Sequence, residues 1–284
     1  MSSHELPAAP ERLRGALRCP RCGARGLSGE SARAVPATPD GRRPWPDDGA
    51  LRCAHGHTFA VWRGVPDFVG GAGDAPTPFQ RVMQLGPVAA IYERWWRPLG
   101  FWVASRLDVG DAIAEVVRLC APAGRGLVLD VGCGPGNYTR ALWRAGAATV
   151  VGVDLSPAML ERAVGDATGD GLCFLRASAL DLPFADGSVD AVCCAGALHL
   201  FADPDRAMRE LARVLVPGGP LVGQTVLLPR APAARLAAGV LERAVRFGFF
   251  ESASLLEARL RAAGLEPTDG ESHGIAHVFR AVRP

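Results

Sequence analysis

A glycine-rich loop, set between an apolar run and a helix-forming segment, constrains the fold of this 284-residue chain more than any other feature. The run Leu127–Val131 predicts a buried parallel strand, because such strands read as nearly continuous apolar stretches. Gly132, Gly134 and Gly136 follow at every second position, where bare backbone can turn sharply and approach a ligand closely. The helix predicted from Asn137 directs its N-terminus, which favours anionic or electron-rich groups, toward the same place.

A second predicted strand ends in an acidic residue, as in nucleoside-binding folds. The apolar run 149–153 is followed by Asp154, eighteen residues after Gly136. A carboxylate at that point can accept both hydroxyls of a ribose. Dinucleotide folds combine it with G-x-G-x-x-G after an apolar strand end, which leaves room for a pyrophosphate. Here Asp130 precedes the glycines, and its charge would repel a pyrophosphate but suits a ligand with an ammonium group.

The loop reads Asp-x-Gly-x-Gly-x-Gly from Asp130 and resembles the first motif of the class I S-adenosylmethionine-dependent methyltransferases. Four more segments resemble that family's motifs in the same order, at 154–160, 175–184, 188–192 and 209–219. The resemblance is dense from residue 126 to about 228 and looser beyond. It implies an α/β fold with a Rossmann-like, seven-stranded, mostly parallel sheet whose last strand is antiparallel.

S-adenosylmethionine is the cofactor that this resemblance implies. Ser178 stands where the family often has an acidic residue that accepts a hydrogen bond from the adenine amino group. A hydroxyl can accept that bond without charge, so adenine contact would rest more on backbone groups of Ala179 and Leu180. The residues that we expect to contact the cofactor are Asp130, Gly132, Cys133, Gly134, Asp154, Leu155, Met159, Ser178, Ala179, Leu180 and Ala195.

The N-terminal part of the chain carries cysteines and histidines at the spacing of a metal site. Cys19 and Cys22 form C-x-x-C followed by glycine, which is typical of a zinc knuckle. Cys53 and His57 offer the second half, with His55 as an alternative to His57. Three thiolates and one imidazole would complete a tetrahedral, structural Zn²⁺ site. Because so short a segment has little core, the metal would supply its folding energy.

Joined to a methyltransferase domain, this cysteine pattern resembles the bacterial guanine-N1 methyltransferases of large-subunit ribosomal RNA, with Phe59 as the aromatic that follows the second half. The segment 193–201, which contains A-L-H, is closer to small-molecule methyltransferases. Uncharacterised methyltransferase-domain proteins with a Cys-rich head and a Y-E-R-x-W-R helix, here at 92–97, fit the whole length better. The resemblance to these last proteins does not specify a substrate.

Composition shifts along the chain predict its domain organisation. A Gly/Pro/Ala-rich stretch is the predicted linker, and a helical lid opens the domain that follows it. The predicted parts are a flexible N-terminus at 1–16, a zinc-binding module at 17–69, a linker at 70–78 and the methyltransferase domain at 79–284. An inserted helix at 231–248 is expected to border the substrate pocket, and the zinc module and lid are expected to help enclose the acceptor.

Two residues are candidates for catalysis. His199 follows the predicted fourth strand, on the side where open α/β sheets bind ligands, and is the candidate base. Tyr92 lies in the aromatic-rich lid, where a ring face could attract the sulfonium of the cofactor. A purely structural role, in packing or capping, is the alternative for each residue.

Charge and composition narrow the class of partner. The net charge is +2, and all 31 basic residues are arginines spread along the chain, which disfavours strong nucleic-acid binding. No signal-peptide pattern or membrane-spanning apolar run is evident, and the eight cysteines suggest thiols and a metal site, so we expect a cytoplasmic protein. The predicted function is methyl transfer to a small-molecule acceptor, on O, N, C or S. A ribosomal RNA base methyltransferase and a non-catalytic scaffold are the alternatives.

Overall fold

The computed structural model describes residues 9–31, 48–69, 108–245 and 247–284, and its elements are numbered along these residues. The first two segments form a helix followed by a small antiparallel sheet with strand order β1-β2-β3-β4. These elements are α1 (Ala9–Ala16), β1 (Ser28–Ser31), β2 (Gly49–Arg52), β3 (Thr58–Trp62) and β4 (Val65–Pro66). We call residues 17–31 and 48–69 the zinc module.

The remaining segments build a seven-stranded sheet with the order β10-β11-β9-β8-β5-β6-β7. Its strands are β5 (Leu127–Val131), β6 (Thr149–Asp154), β7 (Leu172–Arg176), β8 (Ala191–Ala195), β9 (Pro220–Val226), β10 (Glu266–His273) and β11 (Ala276–Val282). Strands β5 to β9 pair in parallel, whereas β11 is antiparallel to both β9 and β10. This architecture confirms the predicted α/β, Rossmann-like fold.

Helices connect the strands, and several begin at a side chain that caps their N-terminus. They are α2 (Val109–Cys120), α3 (Asn137–Arg144), α4 (Pro157–Gly165), α5 (Pro204–Val214), α6 (Pro232–Val245) and α7 (Ala253–Ala262). Ser156 accepts from the amide of Met159 at the start of α4, and Asp203 caps α5 in the same way. None of the described helices combines the length and the hydropathy needed to cross a membrane.

The central strands are buried on both faces, which explains their continuous apolar sequences. Leu127 and Leu129 of β5 belong to one hydrophobic cluster, and Val128 belongs to the cluster on the opposite face. Successive side chains of a strand point to opposite faces, so both faces must be apolar when helices cover both.

The N-terminus differs from the prediction of a flexible segment at 1–16, because residues 9–16 form helix α1. Leu13 and Ala16 are buried, and Arg12 forms an ion pair with Asp190. Asp190 also accepts hydrogen bonds from the amides of Gly126 and Leu127, so α1 is joined to the start of β5. The sequence pattern missed this helix because its stabilising partners lie far along the chain.

The zinc module packs against the seven-stranded sheet, and the two share one hydrophobic cluster. Asp67 forms a parallel bridge with Arg176 at the end of β7, and Leu17 forms an antiparallel bridge with Phe184. The predicted linker at 70–78 and the whole of the predicted lid, from Phe79 to about Leu107 and including Tyr92, lie outside the described residues. The predicted domain boundaries therefore stay predictions.

Candidate functional site

The glycine loop takes a backbone conformation that residues with side chains rarely adopt. Gly132, Gly134 and Gly136 have φ values of 74°, 53° and 80°. A Cβ atom on Gly132 would lie only 2.3 Å from the Cβ atom of Ala197, so that position also requires glycine for space. The amides of Gly132 and Cys133 both donate to the carbonyl of Val153, which holds the loop against the end of β6.

Asp154 closes this loop from the neighbouring strand. Its Oδ2 accepts from the amide of Gly134 at 2.9 Å, and its Oδ1 accepts from the amide of Ser156 at 2.8 Å. Burial raises the pKa of Asp154, while these backbone donors act against that shift. Each carboxylate oxygen can accept a further hydrogen bond, so the side chain is fixed in orientation and still able to bind hydroxyls.

Asp130 is the fourth residue of β5 and lies two positions before the first glycine of the loop. It is 1% exposed, and its Oδ2 accepts from the hydroxyl of Thr139 at 2.6 Å. Burial raises the pKa of Asp130 to about 6. The bond ties the strand to the helix that follows the glycine loop, so Asp130 stabilises the shape of the loop. A direct contact between Asp130 and the cofactor stays a prediction.

The predicted adenine side forms a tight turn, residues 178–182, which we call the adenine loop. Ser178 pairs with Asp181, and its hydroxyl oxygen accepts from the amide of Leu180 at 3.1 Å. Ser178, Ala179 and Leu180 are all buried. Because the Ser178 oxygen already binds the turn, we expect the backbone of the adenine loop to supply most of the adenine contact.

The remaining predicted cofactor residues lie close to the same edge of the sheet. Met159 is buried in the first turn of α4, and Leu155 follows Asp154. Cys133 is buried in the glycine loop, and burial raises its thiol pKa well above the usual value. Ala195 ends β8. Parallel strands place their carboxyl ends together, so the fold brings these residues to one edge of the sheet.

One polar pair at this edge was not predicted from the sequence. Gln224 of β9 lies beside Ala195 in the strand register, and its Oε1 accepts from the hydroxyl of Tyr138 at 3.1 Å. Gln224 is 5% exposed, and its Nε2 has no hydrogen-bond partner among the described residues. No local motif marks this pair, because its members lie 86 positions apart.

His199 lies in a short 3-10 turn, Leu198–Leu200, directly after β8. Its side chain is buried, with the hydroxyl of Thr225 at 3.3 Å from Nδ1 and the ring of Phe247 at 5.0 Å between centroids. Burial lowers the pKa of His199 to about 3, so the imidazole is neutral at physiological pH. A neutral imidazole whose Nδ1–H donates to Thr225 has Nε2 available as a proton acceptor.

His199 forms one wall of a cavity of about 350 Å³. The cavity is lined by His199, Phe201, Ala202, Pro204, Glu242, Gly248, Phe249, Phe250 and Arg259. Arg259 donates to Asp205 at 2.6 Å, and its guanidinium lies 5.0 Å from the centre of the Phe250 ring. Helix α6, which is expected to border the substrate pocket, contributes Glu242 to this cavity. None of the described residues of the zinc module lines this cavity. The expectation that the module helps to enclose the acceptor stays a prediction.

The four predicted metal ligands lie together in the zinc module. Sγ of Cys19, Cys22 and Cys53 and a ring nitrogen of His57 are all within 4.8 Å of one another. The Cys22 and Cys53 sulfurs are 3.8 Å apart, and Nδ1 of His57 lies 3.6 Å from Cys19 and 3.4 Å from Cys53. Tetrahedral zinc with usual bond lengths requires edges of about 3.8 Å between sulfurs and about 3.5 Å between sulfur and nitrogen. The donor set therefore fits zinc.

Each half of this cluster turns at a glycine. Gly23 follows Cys22 and Gly56 precedes His57, and both glycines have positive φ, at 73° and 82°. His55 lies outside the four-residue cluster, with its Nδ1 3.2 Å from the sulfur of Cys22. The geometry therefore favours His57 as the ligand, with His55 as a neighbour of one sulfur.

Comparison with known proteins agrees with this architecture. Residues 129–223 match the family described as a methyltransferase domain, in agreement with the resemblance found in the sequence of this part of the chain. The 27-O-demethylrifamycin SV methyltransferase of Amycolatopsis mediterranei (strain S699) is 37% identical over 150 residues, which cover 51% of this chain and 55% of the relative. The demethylmenaquinone methyltransferase of Thermus thermophilus is 47% identical over 98 residues, which cover 34% of this chain and 44% of the relative. The chain thus spans about half the length of these curated relatives.

A similar fold occurs in a solved complex between the Haloferax volcanii Trm112 methyltransferase activator and a methyltransferase. The matching chain is 22% identical, with a TM-score of 0.57, and the match covers 74% of this chain and 100% of that one. At this level of identity the likeness shows the fold alone. The predicted likeness to ribosomal RNA methyltransferases is not supported by these comparisons.

Proposed function

We propose that this chain transfers a methyl group from S-adenosylmethionine to a small-molecule acceptor. The observation that carries the proposal is the meeting, at one edge of the sheet, of the glycine loop, the Asp154 carboxylate and a cavity with a neutral histidine in its wall. The family match over residues 129–223 supports it independently.

Different residues of the chain would bind different parts of S-adenosylmethionine. Asp154 would accept the ribose hydroxyls, and the glycine loop would admit the methionine part of the cofactor without steric conflict. The backbone of the adenine loop would contact the base. The Nε2 group of Gln224, next to Ala195, has no partner within the part of the chain that the structure describes and offers a donor at the same edge.

When bound, S-adenosylmethionine would supply an electrophilic methyl group on its sulfonium. The protein then has to align the acceptor and, if the acceptor atom carries a proton, to remove it. In the tautomer whose Nδ1–H donates to Thr225, Nε2 of His199 would receive that proton. The apolar surroundings that keep His199 neutral also limit the access of water to it.

A small, ring-containing acceptor fits the cavity better than a nucleic acid does. Its wall carries three phenylalanines, and the volume of about 350 Å³ is that of a small-ligand pocket. Two relatives have names that refer to rifamycin and menaquinone precursors, which are small molecules. Ribosomal RNA is the second candidate, favoured only by the cysteine and histidine pattern of the module.

Labelling with a radioactive methyl donor separates these acceptors. Purified protein receives labelled S-adenosylmethionine with large-subunit ribosomal RNA transcripts, and separately with extracts of small metabolites. We expect label only in the low-molecular-weight fraction, from which the acceptor can be identified. Salt-sensitive labelling of one nucleotide would favour the RNA enzyme instead.

Calorimetric titration tests the cofactor site itself. Asp154→Ala should weaken S-adenosylmethionine binding by about 1 to 3 kcal/mol, because two ribose hydroxyls lose a charged acceptor. Asp166→Ala, which removes an exposed carboxylate near the end of α4, is the matched control and should bind normally. Absence of binding by the wild-type protein would favour a non-catalytic scaffold.

We also propose that the cluster of three cysteines and His57 holds one structural Zn²⁺ ion. Four protein ligands leave no open position for water or substrate. Metal analysis of purified protein should find about one zinc per chain, as a closed site of this kind predicts. His57→Ala should lose the metal and His55→Ala should keep it, and the reverse result would exchange their roles.

A further inference from the structure

We propose that the zinc module is a working part of the cofactor site, so that binding of S-adenosylmethionine depends on zinc. The module would act by holding the adenine loop and Arg176 in place, without any of its metal ligands touching the cofactor. This inference rests on the proposed function. It follows from two separate attachments of the module to the catalytic sheet.

The first attachment is a backbone pairing beside the end of β7, the edge strand of the sheet. Asp67 pairs in parallel with Arg176, the last residue of β7, and the amide of Phe68 donates to the carbonyl of Arg176 at 2.8 Å. The chain reaches Ser178 two residues later. The backbone that enters the adenine loop is thus hydrogen-bonded to the zinc module.

The side chain of Arg176 also links the module to the loop that follows Asp154. The guanidinium nitrogen Nη1 donates to the Asp67 carboxylate at 2.7 Å. The Nε atom donates to the carbonyl of Leu155 at 3.0 Å. Leu155 directly follows Asp154, the predicted ribose ligand. Arg176 therefore connects the module to both loops that are expected to enclose the nucleoside, and we assign it as a positioning residue.

The second attachment holds the other end of the adenine loop. The amide of Arg18 donates to the carbonyl of Pro183 at 3.0 Å, and Leu17 pairs with Phe184. Cys19, one of the metal ligands, is the next residue after Arg18. The loop thus lies between two points that the module holds, one at Arg176 and one at Pro183.

Apolar packing joins these attachments into one unit. Buried residues of the module and of the loop region belong to a single cluster, which includes Leu17, Cys19, Phe59, Phe68, Ala177, Leu180, Leu182 and Phe184. The described part of the module is small, and its three cysteines meet at the metal cluster. Loss of zinc should therefore loosen the module. An adenine loop without these supports would have to be ordered when the cofactor binds, which reduces affinity.

Three full-length variants test this dependence by calorimetric titration with S-adenosylmethionine, each with metal analysis and circular dichroism. Cys22→Ser should lose zinc and bind at least about tenfold more weakly, because several residues must be ordered on binding. Asp67→Asn should keep zinc and bind about three- to tenfold more weakly, the effect of one weakened charged hydrogen bond. Glu161→Gln removes an exposed ion pair with Arg63 at the same interface and should bind normally.

Wild-type affinity in both Cys22→Ser and Asp67→Asn would overturn the inference, while loss of binding in Asp154→Ala would leave the proposed function intact. If the wild-type protein itself binds no S-adenosylmethionine, the proposed function fails and the inference fails with it. Asp67→Asn also separates a loss of the support from unfolding of the protein, because this variant is expected to keep both the metal and the native circular dichroism spectrum.

Discussion

A buried imidazole can serve a methyl transfer only if it is neutral before the reaction, and His199 meets this condition. Burial lowers its pKa to about 3, and the hydroxyl of Thr225 holds one ring nitrogen. Such a weak base cannot hold a proton for long at neutral pH. It suits an acceptor whose proton leaves as the new bond forms, and this makes both the orientation and the burial of His199 relevant to the rate.

The first prediction concerns this role. His199→Gln should reduce kcat about 10²- to 10⁴-fold, the usual contribution of a positioned base, with unchanged affinity for S-adenosylmethionine. Thr225→Val should lower kcat more than Thr225→Ser, which keeps the hydroxyl. Steady-state kinetics with the acceptor identified by labelling provide the measurement. An unchanged kcat in His199→Gln would assign a purely structural role to the residue.

The second prediction concerns pH. The folded-state pKa of His199, about 3, lies below its ordinary value of 6.5, so its contribution to stability is complete above about pH 6.5 and is lost as the pH falls toward 3. From pH 7.5 to pH 5 the wild-type protein should lose about 2 kcal/mol of unfolding free energy through this residue. Asp130, with its raised pKa, acts in the opposite direction, so the comparison requires His199→Gln. Urea unfolding of both proteins should show that the wild-type free energy of unfolding, taken relative to that of the variant, falls by about 2 kcal/mol between pH 7.5 and pH 5.

Residues of local motifs were predictable, and residues brought together by the fold were not. The glycine loop and Asp154 belong to patterns of a few consecutive positions, and the structure brings them together as expected. The position of His199 after a strand was also predictable. Its partner was not, because Thr225 lies 26 positions away, and Arg259 reaches the cavity from a helix with no recognisable motif.

At the scale of elements, the hydrophobic pattern was sufficient for the sheet and insufficient for α1. Strand β5 coincides with the predicted run because a strand buried on both faces has a continuous apolar sequence. Helix α1 is short, and the Arg12–Asp190 ion pair joins positions 178 residues apart. A pattern read along the chain contains no sign of such a contact.

The third prediction tests the junction that Asp190 makes between α1, β5 and β8. Asp190→Ala leaves the amides of Gly126 and Leu127 without acceptors and Arg12 without its partner. We expect a loss of about 2 to 4 kcal/mol in unfolding free energy, measured by urea denaturation, because partly buried groups lose their hydrogen bonds. Asp186→Ala removes an exposed carboxylate that pairs with Arg213 and should cost about 1 kcal/mol or less. Equal losses in both variants would contradict this account.

At the scale of the whole molecule, the zinc module and the candidate acceptor cavity occupy different parts of the catalytic sheet. The module is attached at β7, an edge strand, whereas the cavity lies beside His199, which follows β8. The glycine loop and Asp154 come between them in the strand order. This arrangement is consistent with the proposal that the module supports the cofactor site.

The fourth prediction follows from the hydrophobic cluster that the module and the sheet share. Because one apolar core crosses the interface, the zinc module and the sheet should unfold together, in a single calorimetric transition. Removal of zinc by a chelator should lower the midpoint of that whole transition, by about 5 to 10 °C if the metal contributes 2 to 3 kcal/mol. S-adenosylmethionine should raise the midpoint of the zinc-loaded protein, since a ligand that binds only the folded state stabilises it. Two separate transitions, with only the lower one sensitive to the chelator, would mean that the module is an independent domain, and the loss of its fold would then leave the cofactor site unchanged.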